Sequence, residues 1–222
     1  MEIGVHMHIP DGFLDPVWVA GTYVASLGYI VFAGKRGKLT SDVGRISGLV
    51  GVVGAAIFVA QMLNWPLPGG TSLHFVGGAL AAILLGPYIG CLTMAAVVTV
   101  QCLVFHDGGI TALGANLLNM AVIASIVGYV VFKASLAALK NRKGGVLISG
   151  ILAGWVSIFL AGVAAGIEIG LSPAFPLGVT ITVPVMGAWH GLLGIIEGLI
   201  TGGAASYIAM KAPDLWLWGD QK

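Results

Sequence analysis

The sequence predicts an all-α, polytopic membrane protein, a bundle of about seven transmembrane helices, and three observations support that class. Hydrophobic residues make up 58% of the 222 residues and charged residues 9%, whereas soluble domains usually carry about 25% charged residues. Apolar runs recur along the chain, and their lengths are close to the roughly 20 residues that a helix needs to cross a bilayer. The 35 glycines follow no fixed period, which favours close helix packing in lipid over collagen. We therefore expect one integral membrane domain over residues 1–222, with its helix bundle at 16–211.

Seven segments are predicted as spans, with six as the alternative count. The predicted spans are Pro16–Gly34, Val43–Leu63, Leu73–Leu85, Tyr88–Phe105, Thr111–Phe132, Gly145–Glu168 and Pro184–Met210. Gly86 and Pro87 separate the third span from the fourth, because proline removes a hydrogen-bond donor and clashes with the preceding turn. The third span is short, so it could merge with the fourth as one kinked helix.

The basic residues predict the orientation of the bundle. With seven spans, all ten fall in three regions on one side, namely Lys35, Arg36, Lys38, Arg45, Lys133, Lys140, Arg142, Lys143, Lys211 and Lys222. Cytoplasmic loops are enriched in Lys and Arg, so we expect the N-terminus outside and the C-terminus in the cytoplasm. All five histidines fall on the opposite, outer side: His6, His8, His74, His106 and His190.

Two outer segments place histidines at the mouth of the bundle. Residues 1–15 lack the basic region of a signal peptide, and Pro10-Asp11-Gly12 indicates a turn that holds His8 near the outer face. The loop that follows the second span ends in Thr71 and Ser72, either of which could be the N-cap of the third helix. His74 would then lie in the first turn of that helix.

Polar residues inside the spans are expensive in lipid and must face the bundle. Asn116 and Asn119 lie three residues apart, on one face of the fifth span, where they can hold loops or orient ligands. His190 and Glu197 lie two turns apart on one face of the seventh span. Glu168 ends the sixth span and is expected at its outer rim.

The sequence lacks the motifs of several enzyme classes. The sequence contains no His-Glu-x-x-His, no Gly-x-Ser-x-Gly and no Walker glycine loop, so any ATP-driven step lies on another polypeptide. Net charge of +1 excludes a basic nucleic-acid surface. The two cysteines, Cys91 and Cys102, are expected to be buried small hydrophobic residues.

Imidazole and backbone nitrogen donors favour nickel, copper, cobalt or zinc. A terminal amine, the next amide nitrogen and a histidine imidazole can chelate one ion in a plane, and a second imidazole would complete four donors. Planar nitrogen donors indicate nickel or copper. The residues alone show only that His8 and His74 share a membrane face.

Four segments together resemble the CbiM/NikM family, the substrate-specific (S) components of energy-coupling-factor importers for cobalt and nickel. The segments read MHIPDGFL at residues 7–14, PGGTSLHFVGGALAAILLGP at 68–87, DGGITALGANLLNM at 107–120 and HGLLGIIEGLIT at 190–201. The resemblance implies a seven-helix bundle in the cell membrane of a prokaryote, without catalysis or a prosthetic group. It also implies three kinds of partner: a T-component transmembrane protein, ATP-binding-cassette ATPase subunits and a small accessory membrane protein.

The resemblance further implies a ligand set for the transported Ni²⁺ or Co²⁺. Its members are the amine of Met7, the amide nitrogen and imidazole of His8, and the imidazole of His74, with Asn116 and Asn119 holding the loops or orienting the ligands. Six residues precede Met7, so either translation starts at Met7, or the extension is trimmed, or His6 or a water completes the shell. The position of His106 varies in the family, which makes it a rim residue.

Other functions remain open at this point. The main alternative is an intramembrane metal-dependent hydrolase that uses His190 and Glu197, but such an enzyme needs its ligands at mid-depth. A channel would need a ring of like groups along the inner half, and none is visible. Nickel and cobalt are not distinguished by these residues.

Overall fold

The computed structural model describes residues 8–37, 43–66, 72–139 and 144–215 as a helix bundle with one short hairpin. Its elements in chain order are α1 (Pro16–Arg36), α2 (Val43–Gln61), β1 (Asn64–Pro66), β2 (Ser72–His74), α3 (Gly78–Leu85), α4 (Pro87–Phe105), α5 (Leu113–Ala138), α6 (Gly145–Leu171) and α7 (Val179–Lys211), followed by a 3₁₀ turn (Pro213–Leu215). Five of the helices, α1, α4, α5, α6 and α7, are long and apolar enough to cross a membrane. This confirms the predicted class.

Local sequence explains where the first helix begins and ends. Asp15 is the N-cap of α1, and its carboxylate accepts hydrogen bonds from the backbone N–H groups of Val17 and Trp18. Pro16 occupies the first helical position, where its missing N–H costs nothing. Lys35 and Arg36 lie in the last turn, where a positive charge interacts favourably with the helix dipole.

The third predicted span is wrong in its first half. The chain from Ser72 to His74 forms strand β2, which pairs antiparallel with β1 so that Asn64 faces His74. Helix α3 begins only at Gly78, after an N-cap at Gly77 with φ of +79°, so Ser72 is not the N-cap, and Thr71 lies outside the described residues. Eight residues of helix span about 12 Å, too short to cross a bilayer core of about 30 Å.

Helix α3 is instead buried inside the bundle. Its start contacts α5 so closely that a Cβ on Gly78 would lie 2.5 Å from Cβ of Ala124. Non-helical backbone is tolerated at membrane depth only where protein covers it, and residues Phe75–Gly77 ahead of α3 are all buried. The described chain from Ser72 to Leu85 therefore combines an extended segment with a two-turn helix inside the bundle.

Helices α6 and α7 form the most extensive helix pair, and small residues line their interface. A Cβ on Gly150 would lie 2.5 Å from Cα of Gly202, and one on Gly198 would lie 2.6 Å from the carbonyl oxygen of Ile151. Close backbone approach of this kind stabilises helix pairs in lipid. Both helices exceed their predicted spans, since α6 continues to Leu171 and α7 begins at Val179, with Pro184 in its early turns.

One end of the bundle gathers three segments. The N-H of Gly109, between α4 and α5, donates to the carbonyl of Ile9 at 2.9 Å. The N–H of Asp15 donates to Oγ of Ser172, between α6 and α7, at 2.9 Å. We call this end of the bundle, which includes His8 and His106, the histidine end. Arg36, Lys133 and Lys211 lie toward the opposite ends of their helices.

Candidate metal-binding cavity

The N-terminal segment folds down into the histidine end of the bundle. The side chain of Asn116 holds it at Ile9, because Oδ1 accepts from the N–H of Ile9 at 3.0 Å and Nδ2 donates to its carbonyl at 3.1 Å. The carboxylate of Asp11 accepts from the N–H and the hydroxyl of Thr111, at 2.7 and 2.5 Å. The turn predicted at residues 10–12 is present, with Gly12 at φ +86°. These contacts bury His8 to 3% exposure.

The imidazole of His8 is neutral and has one nitrogen without a partner. Nδ1 lies 3.2 Å from the carbonyl oxygen of Asp107, which can only accept, so Nδ1 carries the proton. Nε2 is buried and makes no hydrogen bond to any residue that the structure describes. Burial lowers the pKa of His8 to about 4, although the Asp107 carbonyl opposes the shift. The ring is therefore uncharged, as an imidazole must be to bind a metal.

His74 reaches the same place from strand β2. Its ring centroid lies 5.1 Å from that of His8, and the ring planes are 85° apart. Its Nδ1 lies 2.8 Å from the carbonyl oxygen of Phe75 and donates to it, which leaves Nε2 with the lone pair. Metals bind imidazole nitrogen at about 2.0–2.1 Å, so one ion can bridge two rings at this separation.

The two rings line a cavity of about 40 Å³. Such a volume exceeds the 10–15 Å³ that a water needs. Asn116, Asn119 and His190 also line it, together with apolar side chains from α5, α6 and α7. A mostly apolar cavity with a few convergent nitrogen and amide groups is typical of a small-ligand site.

His190 belongs to this cavity and not to a separate mid-depth site. Its Nδ1 lies 2.8 Å from the carbonyl oxygen of Met186, which again assigns the proton to Nδ1. Gly162 on α6 makes room for the ring, since a Cβ there would overlap it. The sequence predicted only that His190 lies on the outer half of its span. Its approach to His8 and His74 depends on the packing of α6 on α7.

Glu197 contacts the backbone ahead of α3 and does not act beside His190. Its Oε2 accepts from the N–H of Val76 at 2.8 Å and its Oε1 from the N–H of Gly77 at 2.9 Å. Both oxygens are therefore occupied by structural donors, which argues against the hydrolase that pairs His190 with Glu197.

Asn119 binds Glu168 beneath the cavity. Its Nδ2 donates to Oε2 of Glu168 at 2.7 Å, and its Oδ1 has no partner among the described residues. Glu168 is only 4% exposed, so the predicted rim position is wrong. Helix α6 continues past Glu168 and packs on α5, which buries the carboxyl.

The remaining predicted residues are placed as follows. His106 is exposed at the histidine end, with φ of +54°, and Cys91 and Cys102 are buried and unpaired. Met7 and His6 lie outside the described residues. Within the described ranges no three His, Cys, Asp or Glu side chains converge tightly enough to hold a metal. A metal ion bound by His8 and His74 would therefore need further donors, from the backbone or from residues before His8.

Fold and cavity together define a multi-pass membrane protein with a histidine-lined pocket at one end of its bundle. Residues 8–215 match the family model described as CbiM, cobalt uptake substrate-specific transmembrane region, and the chain belongs to this family.

The relatives and a solved structure agree with that assignment. The chain is 56% identical to a fused nickel transport protein of Archaeoglobus fulgidus, provisionally named NikMN, over 94% of this chain and 68% of the relative. It is 35% identical to the fused nickel transport protein NikMN of Rhodobacter capsulatus, over 94% of this chain and 63% of that one. A crystal structure of a truncated transition metal transporter superposes with a TM-score of 0.85 at 34% identity, covering 91% of this chain and 98% of the other.

Proposed function

We propose that this chain is the substrate-binding subunit of an ATP-driven energy-coupling-factor importer for Ni²⁺ or Co²⁺. The observation that carries the proposal is the pair of imidazole rings, His8 and His74, 5.1 Å apart beside one buried cavity. Imidazole suits late first-row divalent ions. The family description names cobalt uptake, and both relatives are named as nickel transport proteins.

The proposed donors are four nitrogens: the amine of Met7, the amide and imidazole of His8, and the imidazole of His74. When one ion binds both the amide nitrogen and the imidazole of His8, the chelate ring has six members only if the imidazole binds through Nδ1. Metal binding would therefore replace the hydrogen bond from Nδ1 to the Asp107 carbonyl. A deprotonated amide donor favours ions that bind four donors in a plane, such as Ni²⁺ and Cu²⁺.

Release of the ion into the cell requires partners. The 222 residues contain no phosphate-binding glycine loop, so ATP hydrolysis is assigned to separate ATP-binding-cassette subunits, coupled through a T-component, with a small accessory membrane protein. The histidine end faces outside in this proposal, because Arg36, Lys133 and Lys211 lie toward the other end and cytoplasmic loops are enriched in Lys and Arg. The ion then enters the cavity without crossing lipid.

Metal analysis of the detergent-purified chain tests the proposal. We expect one Ni²⁺ or Co²⁺ per chain, lost in His8→Ala and in His74→Ala but retained in His106→Ala, whose exposed imidazole lies at the same end. Retention of stoichiometric metal by both of the first two variants would place the site elsewhere.

The same measurement decides the role of the residues before Met7. Protein that starts at Met7 has the free amine that the proposal needs, whereas protein that starts at Met1 does not. We expect much weaker binding from the longer form. Equal affinity would show that His6 or a water completes the shell.

A further inference from the structure

The peptide group between Phe75 and Val76 connects a carboxylate to the His74 ring. Its carbonyl oxygen lies 2.8 Å from Nδ1 of His74, and its N–H donates to Oε2 of Glu197 at 2.8 Å. The hydrogen bonds thus run from His74 Nδ1–H to the Phe75 carbonyl and from the Val76 N–H to Glu197. All of these groups are buried, and hydrogen bonds in such chains strengthen one another.

Two further contacts hold the next peptide group, between Val76 and Gly77, and so restrain the chain on that side of the Phe75–Val76 peptide. The other oxygen of Glu197 accepts from the N–H of Gly77 at 2.9 Å, so the carboxylate accepts hydrogen bonds from two successive backbone N–H groups. From the opposite side, Nε2 of Gln61 donates to the carbonyl of Val76 at 2.6 Å. Gln61 and Glu197 are both 0% exposed. The segment between β2 and α3 is therefore clamped from α2 and from α7.

We propose that Glu197 is a positioning residue for the metal ligand His74, acting through the Phe75–Val76 peptide group. By fixing that carbonyl toward Nδ1, it holds His74 in the tautomer that has its proton on Nδ1 and its lone pair on Nε2. Metal-binding histidines commonly have their second nitrogen oriented by a carboxylate or a carbonyl. Here one peptide group links both kinds of partner.

The position of Glu197 explains why a carboxyl is present at mid-span in α7. A buried carboxylate is costly unless it is hydrogen-bonded, and the chain ahead of α3 supplies two N–H donors. Helix α3 has no side-chain cap of its own, so Glu197 also provides the acceptor at its N-terminus. A purely structural role would end there, whereas the proposed role extends to the tautomer of His74.

The inference rests on the proposed role of His74 as a ligand, but its first test needs no metal. Nitrogen-15 spectra of the metal-free protein, labelled at histidine, distinguish the two tautomers, and the His74 signals are those missing from His74→Gln. We expect Nδ1 protonated in the wild type. Protonation on Nε2 in the wild type would overturn the inference, whatever the variants do.

The second test compares Glu197→Gln with Glu168→Gln. A glutamine at 197 directs an NH₂ group at one of the two N–H donors, whereas at 168 its carbonyl can still accept from Asn119. We expect Glu197→Gln to shift His74 toward the tautomer protonated on Nε2 and to weaken Ni²⁺ binding in the same proportion, about 10-fold where the binding tautomer falls to about one tenth, with Glu168→Gln close to wild type. An unchanged His74 spectrum in folded Glu197→Gln would contradict the proposal. A shifted spectrum with unchanged Ni²⁺ binding would instead refute His74 as the ligand and leave the orienting contact standing.

Discussion

The side chain of Asn116 binds both backbone polar groups of Ile9, at 3.0 and 3.1 Å. This pair of hydrogen bonds holds the N-terminal segment against α5 and places His8 beside the cavity. Its described part, residues 8–15, forms no helix or strand, so its position depends on a few contacts of this kind. The predictions below follow from these contacts and from the packing beneath them.

Asn116→Ala should release the N-terminal segment without unfolding the bundle. The Ile9 N–H would lose its acceptor and the Ile9 carbonyl would keep only the N–H of Gly109. His8 would then be less well positioned, so we expect Ni²⁺ affinity to fall about 10–100-fold. Asn116→Asp keeps an acceptor for the Ile9 N–H and should have an intermediate effect. Calorimetric titration measures the affinities, and wild-type binding by Asn116→Ala would show that the contact is dispensable.

Gly150→Ala should destabilise the α6–α7 pair. The added methyl would lie 2.5 Å from Cα of Gly202, so the helices must separate, at a cost of about 1–3 kcal/mol. Gly203→Ala is the matched control, because a Cβ there meets nothing within 4 Å. Thermal unfolding in detergent compares them, and equal midpoints would argue against the close interface.

Cysteine labelling in whole cells should reveal the orientation of the bundle. A membrane-impermeant maleimide should modify His106→Cys at the histidine end and spare Arg36→Cys and Lys211→Cys. All three positions are exposed, and the native Cys91 and Cys102 are buried, which keeps the background low. Modification of Arg36→Cys and Lys211→Cys, but not of His106→Cys, would show that the bundle has the opposite orientation.

The purified chain should not hydrolyse ATP. The reason is the missing phosphate-binding loop, and the measurement is phosphate release with and without Ni²⁺. Cells that express this chain alone should accumulate no more Ni²⁺ than empty cells until T-component and ATPase subunits are co-expressed. Robust hydrolysis by the single chain would refute the assignment to a transport subunit.

Hydropathy predicted the bundle well because lipid imposes long apolar helices on a chain. It failed at Leu73–Leu85, which is apolar apart from His74, since a buried hairpin and a buried helix have the same apolar pattern over a short run. The conformation of Gly77 and the pairing of Asn64 with His74 decide that segment, and both depend on tertiary contacts.

The candidate site shows the same division. The Pro10-Asp11-Gly12 turn and the inward-facing Asn116 follow from local rules, and the family resemblance pointed to His8 and His74 together. The burial of Glu168 and the approach of His190 to the cavity depend on how α5, α6 and α7 pack. No residue spacing within a single helix could have predicted either contact.

X-ray absorption at the nickel edge, on Ni²⁺-loaded protein that starts at Met7, tests the central claim most directly. The proposed site predicts four nitrogen donors in a plane, including two imidazoles, and the loss of one imidazole in His74→Ala. Methionine thioethers at Met120 and Met186 lie in the same cavity wall, so the spectrum also distinguishes sulfur ligation. Sulfur donors, or six oxygen donors in an octahedron, would contradict the assignment of the ion to Met7, His8 and His74.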